Sequence, residues 1–162
     1  MAEELKSITT PIRLEYDYTA GAATTRFLRG IAQGKLIGQR CGECKRVYVP
    51  SRGACPRCAV PTEEPVEVAH KGTVTSYSIV RIPSENLSFD PPYGMVQVLL
   101  DGADIPFAHV LQECPLEDVR MGMRVEAVWL PTEELGPTMK SIRYFRPIDE
   151  PDAPFDSYKE HL

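Results

Sequence analysis

Four of the five cysteines fall into a metal-ligating pattern: Cys41 and Cys44 enclose two residues, Cys55 and Cys58 enclose two more, and ten residues separate the pairs. A Cys-x2-Cys knuckle turns sharply, so its two sulfurs converge on one point and nearby backbone N–H groups can face the thiolates. Two knuckles complete a tetrahedral S4 set, which suits Zn²⁺ at about 2.3 Å per bond. Iron in an S4 site is the other metal this donor set takes. Two disulfides or four unrelated buried thiols are the metal-free alternatives, and disulfides fit a reducing compartment poorly. Four thiolates close the coordination shell and leave no position for water or substrate, so the metal is expected to be structural. Cys114 has no partner cysteine or nearby histidine and reads as an ordinary buried or partly buried thiol.

The remaining chemistry-bearing residues form no recognisable catalytic set. His109 shares a strand face with Phe107 and Leu111 and reads as a core or interface histidine rather than a base. His70 and His161 have no evident acid or nucleophile beside them, and no Ser/His/Asp arrangement is recognisable. Asp101 and Asp104 flank Gly102 and most simply shape a hairpin turn. Glycine-rich phosphate loops are absent. Tyr77, Tyr93, Trp129, Tyr144 and Phe145 fall on strand candidates, where aromatics mostly fill a core.

The elements that must position the cysteines are short. The chain of 162 residues, 43% hydrophobic and 25% charged, suffices for one sizeable domain or two small ones. No apolar run approaches the roughly 18–20 residues of a membrane span. Residues 1–6 are acidic and lack the apolar stretch of a secretory signal, so a cytoplasmic protein is expected. Residues 1–23, with Pro11 and a Gly–Ala-rich stretch, read as an extended or mobile arm. Thr24 or Thr25 is expected to cap a helix running to residue 33, with Gly34 as its stop. Phe27, Leu28 and Ile31 share one face of that helix, a narrow stripe that needs something to pack on.

Residues 35–40 read as a strand leading into the first knuckle, 47–50 as a small hairpin arm, and 61–65 as a polar, Pro-flanked linker. Strand candidates follow at 66–70, 72–82, 93–100, 105–111, 124–130 and 139–145, with residues 86–92 among their turn-like separators and one helical turn at 115–119. Five or six short strands in that span suit a small Greek-key barrel of the OB type. The expected fold is mainly β: an arm (1–23), a helix plus ribbon (24–61), a barrel (66–147) and an irregular acidic tail (148–162).

Charge divides the chain the same way. The net charge is −5, yet residues 24–61 hold eight bases against Glu43 alone, for +7, while residues 66–147 sum to −4 and residues 148–162 to −4. A metallated S4 site carries −2, so Arg40, Lys45, Arg46 and Arg57 beside the knuckles either balance that charge or face a partner.

Residues 28–36, followed by Gln39-Arg40-Cys41 and Val49-Pro50-Ser51-Arg52, resemble the signature of DUF35 proteins. Residues 72–80 are similar to that family's first barrel strand, and residues 118–125 to its final helical turn and strand. The likeness spans about residues 24–147 in the right order. It implies a rubredoxin-like zinc ribbon, with Cys41, Cys44, Cys55 and Cys58 as ligands, joined to an OB-fold. It also implies an accessory subunit: DUF35 proteins associate with thiolase-superfamily proteins or acyl-CoA hydratases, and some partner an aldolase acting on a steroid side-chain acyl-CoA. In those complexes the reactive groups belong to the partner.

Three functions follow. The first is a non-catalytic subunit of a thiolase-like acyl-CoA enzyme, with Arg26, Phe27, Arg29 and Lys35 meeting the partner or the CoA thioester. In that reading the helix buries Phe27 against the partner, its own barrel being the alternative. The second is a nucleic-acid binder, which the acidic barrel opposes. The third is an enzyme in its own right, for which the constellation is missing.

Overall fold

A computed structural model describes residues 12, 14–83 and 89–162. Residues 1–11 and 13 of the expected arm, and 86–88 of the expected turn, lie outside the described residues.

Among the described residues, one α-helix precedes eight strands. Helix α1, Gly21–Ile31, begins earlier than expected, and neither Thr24 nor Thr25 caps it. Ala22 and Ala23 are strong helix formers and carry it a turn upstream. It ends at Ile31, two residues before the expected 33, but Gly34 is its stop as expected: Gly34 takes φ +68°, and the Lys35 N–H donates to the Gly30 carbonyl at 2.9 Å, a Schellman closure. At Gly30 a Cβ would stand 2.8 Å from Ile37 Cγ1, so a glycine lets the helix end settle onto the strand that follows.

That strand, β1 (Ile37–Cys41), is the centre of a three-stranded sheet with β2 (Val47–Tyr48) on one side and β3 (Thr62–Glu67) on the other. Residues 61–65 are therefore no linker. Pro65 pairs with Gln39, and Arg40 with Glu64. Proline is tolerated because β3 is an edge strand, and the exposed acidic side chains leave the other polar groups solvated. The expected strand at 66–70 is the end of this edge rather than the start of the barrel.

Five strands close the barrel: β4 (Lys71–Val80), β5 (Tyr93–Leu100), β6 (Phe107–Leu111), β7 (Arg124–Trp129) and β8 (Ile142–Pro147), in the order β4-β5-β6-β8-β7. β6 and β8 run parallel and every other pair antiparallel. This is the OB arrangement. A bulge between Val74 and Ser76 bends the first strand, which closure requires. Along β5, Val96, Val98 and Leu100 point inward and alternate with half-buried residues. One continuous core joins Phe107, Phe145 and the barrel valines to Phe27, Ile31 and Leu36 of the preceding segment.

Residues 148–162 are not a free tail. Two short 3-10 turns, Phe155–Ser157 and Lys159–His161, return the chain across the barrel, and Tyr158 is 4% exposed. Gly122, at φ +88°, makes room: a Cβ there would meet the Ala153 carbonyl at 3.0 Å. No helix among the described residues is long and apolar enough to cross a membrane.

Candidate metal centre

The two knuckles are built alike. In the first, the Lys45 N–H donates to the Cys41 carbonyl at 3.1 Å and the Cys41 N–H to the Arg46 carbonyl at 2.9 Å. In the second, Ala59 bonds Cys55 at 2.9 Å and Cys55 bonds Val60 at 2.8 Å in the same pattern. Lys45 and Ala59 both adopt positive φ, 65° and 55°, which turns each chain back so that its second cysteine faces its first. The Cys58 N–H points at Cys55 Sγ, 3.4 Å away.

The four sulfurs lie within 4.8 Å of one another. Cys44 and Cys55 are 3.7 Å apart, too far for a disulfide and close to the edge, about 3.8 Å, of a tetrahedron with 2.3 Å metal–sulfur bonds. All five cysteines are free thiols. Cys41 and Cys55 are buried, Cys44 and Cys58 half-buried. The arrangement fits a tetrahedral metal with a closed shell.

Tyr48 belongs to this site, although the sequence marked it only as part of a hairpin arm. Its hydroxyl lies 3.1 Å from Cys55 Sγ and is buried. Donating to that sulfur, it pulls the Cys55 thiol down to about 6. The same hydrogen bond, reinforced by burial, pushes the Tyr48 phenol up to about 12. Cys58 is held above the ordinary thiol range, first by its hydrogen bond with Cys44 and then by burial. Without a cation the four thiols cannot all ionise; a divalent metal is what lets them.

The ribbon is fastened to the barrel by a residue read as a turn former. Asp104, between β5 and β6, accepts the Val47 N–H on Oδ2 at 2.8 Å, and its own N–H donates to the Val47 carbonyl at 2.9 Å. Ile105 packs beside the sulfurs. Asp101 instead holds Arg124 through two hydrogen bonds at 2.8 and 2.6 Å, and Arg124 also reaches Glu150 at 3.0 Å and Thr73 at 2.9 Å. One guanidinium thus ties β7, β4, the β5–β6 turn and the tail together. No local signal distinguishes Arg124 from any other strand arginine.

The expected partner-facing residues separate. Arg26, Arg29 and Lys35 are exposed. Phe27 is not: it is 2% exposed and inside the barrel's own core. Its assignment to a partner surface is corrected, since the apolar stripe of α1 finds its packing within the chain. The basic module is also partly neutralised by the strand taken for a linker, with Lys35 3.0 Å from Glu67 and Arg40 3.2 Å from Glu64. Cys114 is half-buried, and burial, then Asp118, pushes its thiol upward, away from nucleophilic character.

Two family models match in tandem: the "ChsH2, rubredoxin-like zinc ribbon domain" over residues 29–64 and the "ChsH2, C-terminal OB-fold domain" over residues 65–130. A DUF35 domain-containing scaffold protein of Methanocaldococcus jannaschii is 41% identical over 103 residues, 62% of this chain and 72% of that protein. A probable enoyl-CoA hydratase alpha subunit of Thermomonospora curvata is 30% identical over 115 residues, which are 71% of this chain but only 34% of that protein. Among solved structures, an Ltp2-ChsH2(DUF35) aldolase aligns with TM-score 0.61 at 26% identity, covering 78% of this chain and 95% of that one. Ribbon and barrel match together and in order, and the chain belongs to the DUF35 family.

Proposed function

We propose that this chain is a non-catalytic accessory subunit that scaffolds a thiolase-superfamily acyl-CoA enzyme, a thiolase or a retro-aldolase, and that its four thiolates hold a structural Zn²⁺. The observation that carries the first part lies ahead of α1. Ile12, Leu14, Tyr16 and Tyr18 are 83%, 80%, 76% and 73% exposed. Alternate large apolar side chains on a segment that forms no helix or strand of its own suit addition to a partner's sheet or groove, and clustered exposed apolar groups mark interaction sites. Relatives named as a scaffold protein and as part of an aldolase support the reading.

Arg26 and Arg29, exposed on α1, and Lys35, whose surface pair with Glu67 is weak, remain the candidates for an acidic partner surface or the phosphates of a CoA thioester. A steroid side-chain thioester is one substrate of this class. Within the chain, the zinc would be held by Cys41, Cys44, Cys55 and Cys58 and would supply folding energy and no reactive position.

Affinity purification from the native host tests the partner. A thiolase-like protein co-eluting with the wild-type chain, and lost with Leu14→Asp plus Tyr16→Asp, is the expected result. An eluate without any thiolase-superfamily protein would overturn it.

A further inference from the structure

The two knuckles repeat one backbone plan, yet their sulfurs do not share one environment. Seven residues on from the first cysteine of each stand Tyr48, after Cys41, and Thr62, after Cys55. Both are buried and both carry a hydroxyl. They lie on the outer strands of the same sheet, Tyr48 on β2 opposite Gln39 and Thr62 on β3 opposite Cys41. The Thr62 hydroxyl donates to the Arg52 carbonyl. The Tyr48 hydroxyl instead crosses to the other knuckle and lies 3.1 Å from Cys55 Sγ. Among the described residues no other hydroxyl comes within hydrogen-bond reach of a cysteine sulfur.

Metallation settles the direction of that bond. A metal-bound thiolate has no proton to give, so Tyr48 must donate. Cys55 also faces the Cys58 N–H at 3.4 Å, and its sulfur therefore takes two donors. It is buried, and a buried charge is costly unless hydrogen bonds meet it. Cys44 and Cys58 are half-buried and can be met by water instead. The ring that carries the hydroxyl is held in turn by the Arg52 guanidinium, whose carbon lies 5.8 Å from its centroid. A cation over the face draws electron density from the ring, which makes the phenol a better donor.

We propose that Tyr48 is a positioning residue of the metal site. Its hydroxyl fixes Cys55 as the anchored corner of the S4 set, which tightens the hold on zinc, and draws charge from that one sulfur. The inference rests on the reading of Cys41, Cys44, Cys55 and Cys58 as metal ligands. Outer-shell donors of this kind orient a ligand and tune what it gives to the metal. Thr62, the counterpart by position, holds backbone only.

Cobalt(II) substitution on the full chain tests it, because a sulfur-to-cobalt charge-transfer band reads the electron density of the ligand sulfurs. Tyr48→Phe keeps the ring and removes the one oxygen. Its band should move to longer wavelength, since a thiolate without that bond gives up an electron more readily. In chelator competition it should hold zinc about tenfold more weakly, or worse. The iron-loaded variant should show a lower Fe(III)/Fe(II) potential, because hydrogen bonds to sulfur favour the reduced site. Thr62→Val, which loses the equivalent hydroxyl but no sulfur contact, should match wild type in band and potential. Replacing tyrosine throughout by 3-fluorotyrosine keeps every hydroxyl and strengthens it as a donor. The band should then move to shorter wavelength, a readout that stands even where Tyr48→Phe fails to fold. Tyr48→Phe with the wild-type band and zinc affinity would overturn the proposal. So would Thr62→Val shifting the band as far, or a band unmoved by fluorotyrosine. A wild-type chain that takes up neither cobalt nor zinc would overturn the metal reading itself, and this inference with it.

Discussion

Around the four sulfurs the buried side chains are few: Tyr48 with Cys41 and Cys55, bordered by Val60 and Ile105. The barrel and α1 instead enclose a core that runs from Phe27 and Ile31 through Val74, Val96 and Val98 to Phe145. Apolar burial scales with the number of side chains removed from water, so the knuckles cannot be held by packing and the barrel can. Metal coordination by the four thiolates would stand in at the tip for the hydrophobic core it lacks. The difference predicts that the same kind of truncation has different consequences at the two ends, and that the bonds between them transmit only part of the damage.

The largest expected effect is at the knuckles. Cys55→Ala should abolish metal retention in elemental analysis and remove metal-linked folding energy on the order of 10 kcal/mol at the tip. In hydrogen exchange, the amides of residues 41–60 should then lose protection while those of β5 and β6 keep most of theirs. Equal loss in the barrel would show that the two regions fold as one unit.

Next is the core. Phe27→Ala should cost about 3–5 kcal/mol in urea denaturation, without lowering the metal content of the folded fraction. A stability within experimental error of wild type would return Phe27 to the surface. Between the regions, Asp104→Ala leaves the Val47 N–H without its carboxylate acceptor and should cost about 1–3 kcal/mol. Faster exchange of the Val47 amide, with little change at Val98, would confine the damage to the joint.

The smallest effect concerns the tail. Glu150 is held below the ordinary carboxyl range, first by its hydrogen bond from Lys71 and then by that from Arg124. Its contribution to docking is therefore complete above the unfolded carboxyl value, near 4.3. It is lost as pH falls through the lower folded one. Protection of the Tyr158 amide, taken relative to its intrinsic exchange rate at each pH, should fall across that interval in wild type. Glu150→Gln should show a flatter response, and identical profiles would remove Glu150 as the cause.

The convergence of the four cysteines was legible because its signal is local: two short knuckles bring their sulfurs together whatever surrounds them, and Gly34 closes the end of its helix for equally local reasons. The alternation that places β5 and the strand count that suits an OB barrel are likewise properties of neighbouring residues. Residues 61–65 were misread because charge and proline suggest a loop unless the strand beside them is known. Only pairing with β1, across a separation of 24 residues for Arg40 and Glu64, makes them an edge.

Local patterns in the chain were enough for the four-cysteine donor set, the order of ribbon and barrel, and the family. Tertiary structure alone decided which surface α1 buries. A narrow apolar stripe has the same appearance whether a partner or the chain's own barrel receives it. It also decided that Tyr48 meets a sulfur, that Asp104 joins the two regions, and that Arg124 gathers the tail. Each of those roles rests on a contact between residues distant in sequence, and their geometry exists only after the barrel has closed.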